Sequence, residues 1–233
     1  MTINRMKLRD IFDNLELSCD KFEHYFGLYE RHLGRFVGKS PMILEIGVQF
    51  GGSAEMWNKY FGKGTFVYGV DISPQCNETN YLKLLIGDQG SQEFWMENFS
   101  GMYKYFDIII DDGSHNNPDQ ITTLLNCYNL IKDDGVYWCE DTHTSYYFNV
   151  RVSDGGCKNK DSFTEFAKNI VDVLSSNHAK EAIGVGPFDG PRVPPILVSQ
   201  FDNIQGIHFY DSVIVIDKGP RLKFSRIIHK KKV

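Results

Sequence analysis

The sequence predicts an α/β protein in which helices cover both faces of a mostly parallel sheet. From residue 41 onward, short apolar runs of strand length alternate with stretches of helical period, as is typical of βαβ units. Glycines or acidic residues directly follow five of the apolar runs. The carboxyl ends of parallel strands share one edge of a sheet, where ligands bind. The pattern therefore indicates a binding site as well as a fold class.

The elements follow from hydrophobic period and turn residues. Aromatic and apolar side chains three and four residues apart, from Phe22 to Phe36, indicate a helix before the core. Core strands are predicted at 42–48, 65–72, 82–87, 105–110 and 136–139. Between them, helices are predicted from residue 52, at 91–99 and from 118 to 131, and a further helix follows at 162–175. Two β-rich runs, 207–210 and 213–216, close the fold.

One domain is predicted over residues 1–233, because this length exceeds the roughly 150 residues of a typical domain only modestly. It comprises an N-terminal helical segment (1–40), a catalytic core (41–217) and a basic tail (218–233). Within the core, residues 142–160 have no clean period and are rich in Tyr, Ser, Gly and Asn. Such a composition predicts a lid or substrate loop.

Composition excludes several classes of function. The net charge of −5 provides no basic surface for nucleic acid. No apolar run approaches the roughly 20 residues of a membrane span, and the N-terminus has no apolar signal core. The five cysteines are odd in number and never spaced as CxxC, which indicates a reducing compartment and predicts a cytoplasmic protein.

The segment 45–53, EIGVQFGGS, joins the first strand to its helix. Glycines let the backbone approach a ligand, and free amides at a helix start bind anionic groups. Asp71 ends the second strand, where a carboxylate can accept from ribose hydroxyls. GxGxxG is absent, so the turn favours S-adenosylmethionine over a dinucleotide, a tight turn without ligand being the alternative. The predicted cofactor-binding residues are Glu45, Gly47, Val48, Gly51, Ser53, Asp71, Ile72, Asp88, Gln89 and Asp111.

Asp112, Glu140 and Asp141 follow two successive strands that would be neighbours, about 4.8 Å apart. Clustered carboxylates repel one another unless a cation lies among them, and oxygen ligands suit Mg²⁺, Mn²⁺ or Ca²⁺. The alternative is that Asp111 or Asp112 caps the following helix while Glu140 and Asp141 form an exposed turn. Adjacent strand residues point to opposite faces, so both acids can bind one metal only if the strand has ended before them.

His115 lies in the loop after Asp112. A hydroxyl group is a poor nucleophile at neutral pH, and a base of pKa near 7 or a metal on the oxygen activates it. His115 is the candidate base, with a structural loop role as the alternative, and His143 is the second candidate. Tyr146, Tyr147 and Arg151 would line an acceptor pocket or pack the loop onto the core. The other histidines, predicted to pack within helices and strands, are His24, His32, His178 and His208.

Taken together, EIGVQFGGS, GVDI (69–72), GDQ (87–89), DDGSH (111–115) and EDTHTSY (140–146) resemble the sugar O-methyltransferases of macrolide and rhamnoside tailoring. Upstream, DK at 20–21 and YERH at 29–32 are similar to segments that precede the core in that family. Near the end, residues 207–212 resemble its closing hairpin. The resemblance spans roughly residues 18 to 217.

The resemblance implies a Rossmann-like class I methyltransferase fold, with seven strands and a final antiparallel hairpin. It also implies S-adenosylmethionine as donor, a divalent metal, usually magnesium, at Asp112, Glu140 and Asp141, and His115 at the position of the catalytic histidine. The expected reaction methylates a hydroxyl of a rhamnose-like sugar in a glycan or glycosylated metabolite. Larger members carry an additional N-terminal domain, so the chain is expected to be either a smaller relative or a domain of a longer protein.

Other functions stay open at this point. A catechol-type methyltransferase would use a similar acid cluster, and a cephalosporin-hydroxylase-like protein shares the motifs and leaves the acceptor undefined. An NAD-dependent oxidoreductase shares the glycine turn and acid, but Glu45 and the missing glycine pattern disfavour it. A module that only binds the nucleoside is disfavoured by the complete set of acids and His115. The expected partner is a sugar acceptor rather than nucleic acid or membrane, and homo-oligomer formation is left open.

Overall fold

The computed structural model describes residues 7–147, 155–180, 195–201, 203–220 and 229. The predicted substrate residue Arg151 lies outside these ranges. The strands are β1 Met42–Ile46, β2 Phe66–Asp71, β3 Leu82–Ile86, β4 Phe106–Asp111, β5 Ile131–Cys139, β6 Ile204–Tyr210 and β7 Val213–Lys218. The helices are α1 Leu8–Phe12, α2 Tyr25–Leu33, α3 Gly52–Phe61, α4 Gln92–Phe99, α5 Asn117–Cys127, α6 Phe163–Lys180 and α7 Pro195–Gln200.

The described strands form one seven-stranded sheet in the order β3-β2-β1-β4-β5-β7-β6. β1 pairs in parallel with β2 and β4, and β5 pairs in parallel with β4. β7 runs antiparallel to both β5 and β6. The predicted fold class is confirmed, including the final antiparallel hairpin. The order also brings the ends of β4 and β5 side by side, with Asp111 opposite Cys139.

Both faces of the central strands are buried, which explains why β1, β4 and the second half of β5 are almost wholly apolar. Leu44 and Ile46 point to one core layer, which α4, α5 and α6 complete. Ile43, the residue before Leu44, points to the other layer, which α1, α2 and α3 complete. This alternation along β1 follows from the period of two in a strand. The central strands are thereby held from both sides, and their carboxyl ends form a rigid edge.

Several boundaries differ from the sequence prediction, two of them for a clear structural reason. β5 begins at Ile131 rather than at residue 136, because Ile131 pairs with Phe106 before the register shifts around Asp133, Asp134 and Gly135. The basic tail was predicted from Lys218, yet Lys218 ends β7 and is buried. Its ammonium donates to the carbonyls of Tyr128 and Ile131, at 3.1 and 2.9 Å. A lysine with an apolar stem can thus close a strand when backbone acceptors meet its charge.

Among the described residues, no helix has both the length and the apolar character needed to cross a membrane. All five cysteines are free thiols.

Candidate active site

A cleft of about 610 Å³, a volume that includes its open mouth, lies at the carboxyl ends of β1 to β4. Five of the predicted cofactor residues line it: Gly47, Asp71, Ile72, Asp88 and Gln89. Asp112, predicted as a metal ligand, lines it as well, together with Gly113 and Ser114. The structure therefore brings the glycine turn, the acid after β2 and the loop after β4 to one cavity.

Gly47 is required by a close backbone approach. Its φ is +89°, and a Cβ atom there would lie 1.9 Å from the carbonyl oxygen of Asp112. Gly113 is similarly crowded, because a Cβ atom would lie 1.8 Å from Oε1 of Gln89. Any side chain at either position would push β1 away from the loop after β4. The two glycines thus hold the walls of the cleft close together.

Two backbone amides orient the carboxylate of Asp71. Gln49 N donates to Oδ2 at 2.9 Å, and Ser73 N donates to Oδ1 at 2.8 Å. Asp88 is held in the same way, with Gly90 N donating to Oδ1 at 2.8 Å. Each carboxylate oxygen keeps acceptor capacity for a ligand. The acids are therefore fixed in place while remaining able to accept hydrogen bonds from the cleft.

The other predicted cofactor residues do not line the cleft: Glu45, Val48, Gly51, Ser53 and Asp111. Asp111 accepts from Gln89 Nε2 and Tyr137 Oη, both at 3.0 Å. Burial raises its pKa to about 6, although these two hydrogen bonds lower it. Val48 is buried and Gly51 precedes α3 with φ +79°. These residues lie behind the residues that line the cleft and support their positions.

Glu45 is completely buried and accepts from Trp57 Nε1 at 3.2 Å, while its Oε2 has no hydrogen-bond partner. Burial raises the pKa of Glu45 to about 7, despite the nearby charge of Lys21 and the hydrogen bond from Trp57.

β5 ends at Cys139, so Glu140 and Asp141 follow the strand instead of alternating across it. Asp141 adopts a left-handed conformation, with φ 54°. This geometry meets the requirement that the strand end before two adjacent acids can face one site. The structure brings together one ligand atom from each of Asp112, His115 and Asp141, all within 4.8 Å of one another.

Glu140 lies beside this group but has partners of its own. Its Oε2 accepts from Lys21 Nζ at 3.0 Å, and its Oε1 accepts from Trp138 Nε1 at 3.1 Å and from the hydroxyl of Tyr29. The Lys21 ammonium also contacts Asp112 Oδ2, and the Lys21 side chain is only 3% exposed. A buried lysine thus bridges two of the three predicted metal ligands.

The charges explain the titration behaviour of this cluster. Burial raises the pKa of Asp112 to about 7, even though the charge and hydrogen bond of Lys21 lower it. Burial and the neighbouring charge of Asp112 raise the pKa of Glu140 to about 7, again against Lys21. Burial lowers the pKa of Lys21, but the charges of Asp112 and Glu140 outweigh it and raise that pKa well above its usual value. The cluster therefore has too little positive charge for its carboxylates.

Two hydroxyls of α2 reach the cluster. Tyr25 Oη donates to Asp141 Oδ1 at 2.6 Å, and the Tyr29 hydroxyl donates to Glu140. Sequence reasoning missed Tyr25, Tyr29 and Lys21 as site residues, because an apolar stripe at helical spacing indicates packing. The signal available was the similarity of DK and YERH to the family segments.

The two candidate bases differ in their surroundings. His115 has φ 58°, its Nε2 lies 3.7 Å from Asp141 Oδ2, and its Nδ1 is buried without a hydrogen-bond partner. His143 also has a buried Nδ1 without a partner, and its ring contacts the rings of Phe22 and Tyr147. His115 is therefore the histidine grouped with the carboxylates.

The two described residues of the predicted acceptor pocket, Tyr146 and Tyr147, are 52% and 43% exposed. They lie at the end of a short 3₁₀ turn, Thr142–Tyr146, that starts directly after Asp141. Their rings are thus available to a ligand beside the acids.

Curated relatives share this sequence over most of its length. The mycinamicin VI 2''-O-methyltransferase of Micromonospora griseorubida is 29% identical over 224 residues, which is 89% of this chain and 53% of that protein. The 8-demethyl-8-α-L-rhamnosyl tetracenomycin-C 2'-O-methyltransferase of Streptomyces olivaceus is 31% identical, over 83% of this chain and 50% of its own. The chain thus spans about half the length of these relatives. No protein-family model matches it.

Among solved structures, MycE methyltransferase from the mycinamycin biosynthetic pathway in complex with Mg, SAH and mycinamycin VI has a TM-score of 0.72. It is 25% identical and covers 93% of this chain and 54% of its own. A second MycE structure, with Mg and SAH, is 24% identical with a TM-score of 0.74, over 92% of this chain and 55% of that one. The chain is therefore a relative of the macrolide and rhamnoside sugar O-methyltransferases and has the class I S-adenosylmethionine-dependent methyltransferase fold.

Proposed function

We propose that the chain transfers a methyl group from S-adenosylmethionine to a sugar hydroxyl of a glycosylated small molecule. One observation carries the proposal: Asp112 both lines the cleft and belongs to the group of ligand atoms with His115 and Asp141. A donor bound in the cleft would therefore lie next to the acids and the base. Relatives named as sugar O-methyltransferases support the acceptor class.

The donor would be held by the residues at the ends of β1 and β2. Asp71, already oriented by two amides, would accept hydrogen bonds from the ribose hydroxyls. Ile72, which is 71% exposed at the cleft, would cover an apolar face of the nucleoside base. Gly47, which has no side chain and lines the cleft, would let the backbone approach the amino-acid part of the donor. These contacts would bind and orient the donor beside Asp112.

The residues present fit a divalent metal ion. The carboxylates of Asp112, Glu140 and Asp141 supply oxygen ligands of the kind that Mg²⁺ prefers. They carry up to three negative charges against the one charge of Lys21, so a further cation would be stabilised among them. A bound ion would lower the pKa of the acceptor hydroxyl. The MycE structures contain Mg, which supports the choice of ion.

His115 would take the proton of the acceptor hydroxyl. Its Nε2 faces Asp141, whose other oxygen is held by Tyr25, so the carboxylate would orient the ring and stabilise its protonated form. The acceptor oxygen attacks the methyl carbon as the bond from that carbon to the sulfonium breaks. The products are the methyl ether, S-adenosylhomocysteine and a protonated His115. Each atom and charge is accounted for by groups at this site.

The acceptor is proposed to be a rhamnose-like sugar, with Tyr146, Tyr147 and Arg151 contributing to its pocket. Aromatic faces and polar edges are the usual means of holding sugars.

A cytoplasmic location, proposed from the cysteine pattern of the sequence, would suit five free thiols.

The test is methyl transfer from isotope-labelled S-adenosylmethionine to paired acceptors, each a rhamnosylated small molecule and its aglycone. We expect mass spectrometry to detect labelled product from the glycosides but not from their aglycones. Chelation of divalent metal should abolish this product, and Mg²⁺ or Mn²⁺ should restore it. Protection against thermal unfolding by S-adenosylhomocysteine but not by NAD would separate this function from an oxidoreductase. Labelling of the aglycone would contradict the sugar as acceptor, and full activity after chelation would contradict the metal.

A further inference from the structure

A second cluster of metal-binding side chains lies where the C-terminal end of α2 packs against the final hairpin. It consists of His32 on α2, His208 on β6 and Asp217 on β7, and it is called here the hairpin cluster. Asp217 pairs with Val136 near the start of the buried part of β5, whereas Glu140 lies beyond the other end of that strand. The hairpin cluster is therefore separate from the acids of the active site.

We propose that the hairpin cluster binds a first-row transition metal of the Zn²⁺ type. Asp217 Oδ2 lies 3.0 Å from His208 Nε2 and 3.7 Å from His32 Nδ1, and all three atoms lie within 4.8 Å of one another. Ligands about 2.0–2.1 Å from a tetrahedral zinc lie about 3.3 Å apart. The two separations from Asp217 Oδ2 bracket that value, and the two histidines lie within 4.8 Å of each other, so side-chain movements of about an ångström would bring all three to one ion.

The surroundings orient the two imidazoles. His32 Nε2 lies 2.9 Å from the hydroxyl of Tyr210, which can accept the Nε2 proton when Nδ1, the nitrogen that faces Asp217, gives up its own proton to bind a metal. Metal-binding histidines commonly have such a partner on the second nitrogen, which fixes the tautomer. On the other side, a Cβ atom at position 206 would lie 3.1 Å from His208 Nε2, so Gly206 leaves space beside this ligand atom.

Arg35 supplies both the competing explanation and the sharpest test. Its Nη1 lies 2.9 Å from Asp217 Oδ1, so the cluster is also an ion-pair network that needs no metal. This contact uses Oδ1 and leaves Oδ2 between the two histidines. The guanidinium would repel a bound cation, so its removal should strengthen metal binding. A network without a metal function predicts no such gain.

A metal at this position would link α2 to the terminal hairpin. α2 also carries Tyr25 and Tyr29, whose hydroxyls contact Asp141 and Glu140. The proposed ion would fix the position of α2 on the side away from the acidic cluster. Its role would be structural rather than catalytic. This role does not depend on the reaction proposed above.

The experiment is calorimetric titration of the whole metal-free chain with Zn²⁺ in a non-chelating buffer. Wild type is expected to bind at the hairpin cluster and more weakly at the oxygen-rich active site. His208→Gln should weaken the hairpin site by at least about 100-fold, whereas His115→Gln should retain it. His24→Gln, the same change at an exposed histidine outside both clusters, is the matched control. Arg35→Gln should tighten the hairpin site by about tenfold.

The folded state of each variant is checked by its far-ultraviolet circular dichroism and its melting temperature without metal. Should His208→Gln fail this check, Tyr210→Phe replaces it, with Zn²⁺ affinity expected to fall by about tenfold. Zn²⁺ should also raise the melting temperature of wild type more than that of the variant. Identical isotherms for wild type and the ligand variant, or no tighter binding by Arg35→Gln, would overturn the proposal.

Discussion

The two clusters place carboxylates in opposite electrostatic situations. At the candidate active site, burial raises the pKa of Asp112 to about 7. The charge of Lys21 lowers this pKa but does not offset burial, and Glu140 shares the same ammonium. In the hairpin cluster, burial would also raise the pKa of Asp217, but the hydrogen bond from His32 and the charge of Arg35 outweigh it and lower that pKa to about 2. Burial acts in the same direction in both clusters.

The number of cationic partners per carboxylate distinguishes the two clusters. One ammonium serves Asp112 and Glu140, whereas Asp217 alone has a guanidinium and two imidazoles around it. The candidate active site therefore has the excess negative charge and the oxygen ligands that favour a hard divalent cation. The hairpin cluster offers nitrogen ligands and one carboxylate, a set that suits a borderline metal instead.

The first prediction asks whether the active-site cluster performs proton transfer. His115→Ala should lower kcat by about 10²–10⁴, the usual contribution of a general base. Affinity for S-adenosylhomocysteine should be preserved, since Gly47 and Asp71, the residues proposed to hold the donor, line the cleft from other strands. The measurement is steady-state kinetics paired with calorimetry. A larger loss of kcat in His143→Ala, with donor binding intact, would transfer the role to His143.

The second prediction removes the cation that the two active-site acids share. Lys21→Met leaves two buried carboxylates without a neighbouring cation, and breaking a buried pair in this way costs about 3–5 kcal/mol of unfolding free energy. Urea denaturation at pH 7.5 measures it, and Mg²⁺ should restore part of the loss. Lys59→Met is the matched control and should cost less than about 1 kcal/mol, because Lys59 is 40% exposed and its partner Glu55 keeps hydrogen bonds from the backbone amides of Glu16 and Leu17. Equal losses in the two variants would contradict the special role of Lys21.

The prominence of Lys21 shows where sequence reasoning reached its limit. The order of strands and helices follows from local hydrophobic period, and the acids after β2, β4 and β5 could be located by counting from those strands. The partners of Lys21, by contrast, lie 91 and 119 residues away. No local pattern encodes a pairing at such distances.

The hairpin cluster could not be predicted from the sequence for a related reason. His32 and His208 each lie in a pattern that predicts packing, and they do pack, with ring centroids 4.8 Å apart. Periodicity assigns a side chain to a face but not to a partner on another element. The register of β6 on β7, which sets His208 beside Asp217, depends on the irregularity between Ile204 and Gly206.

The third prediction uses pH to separate the two clusters. The folded-state pKa values of Asp112 and Glu140, about 7, exceed the value of about 4 in an unfolded chain. Between these values the folded state binds more protons, so stability should fall as pH rises from about 4 to 7. Asp217, with its lowered pKa of about 2, acts in the opposite sense: its contribution is present above about pH 4 and is lost as pH falls toward 2.

For the metal-free chain we expect a loss on the order of 2–3 kcal/mol between pH 5 and pH 8, because about two pH units of the interval between the unfolded and folded pKa values of one such carboxyl lie in this range, each worth about 1.4 kcal/mol. Urea denaturation across this range measures it, and Mg²⁺ should flatten the profile. A stability that rises with pH in the absence of metal would contradict the charge deficit assigned to the active site.

The fourth prediction tests the donor side of the cleft. Asp71→Ala should weaken S-adenosylmethionine binding by roughly 1–3 kcal/mol, since it removes an acceptor that two amides have already oriented. Calorimetry with donor and with S-adenosylhomocysteine provides the measurement. Asp133→Ala, at an exposed acid paired with Lys104, serves as the control. Unchanged affinity in Asp71→Ala would remove Asp71 from the binding site.

The last prediction, with the smallest expected effect, compares the loss of a cation in the hairpin cluster with the loss of one at the candidate active site. Arg35→Gln removes a guanidinium just as Lys21→Met removes an ammonium, but the Arg35 side chain is 39% exposed and Asp217 keeps its contacts with His32 and His208. The loss of unfolding free energy should therefore stay below about 1 kcal/mol. Urea denaturation at pH 7.5, beside Lys21→Met, makes the comparison direct. A loss as large as that of Lys21→Met would mean that burial, not the number of available partners, sets how much each carboxylate depends on its cation.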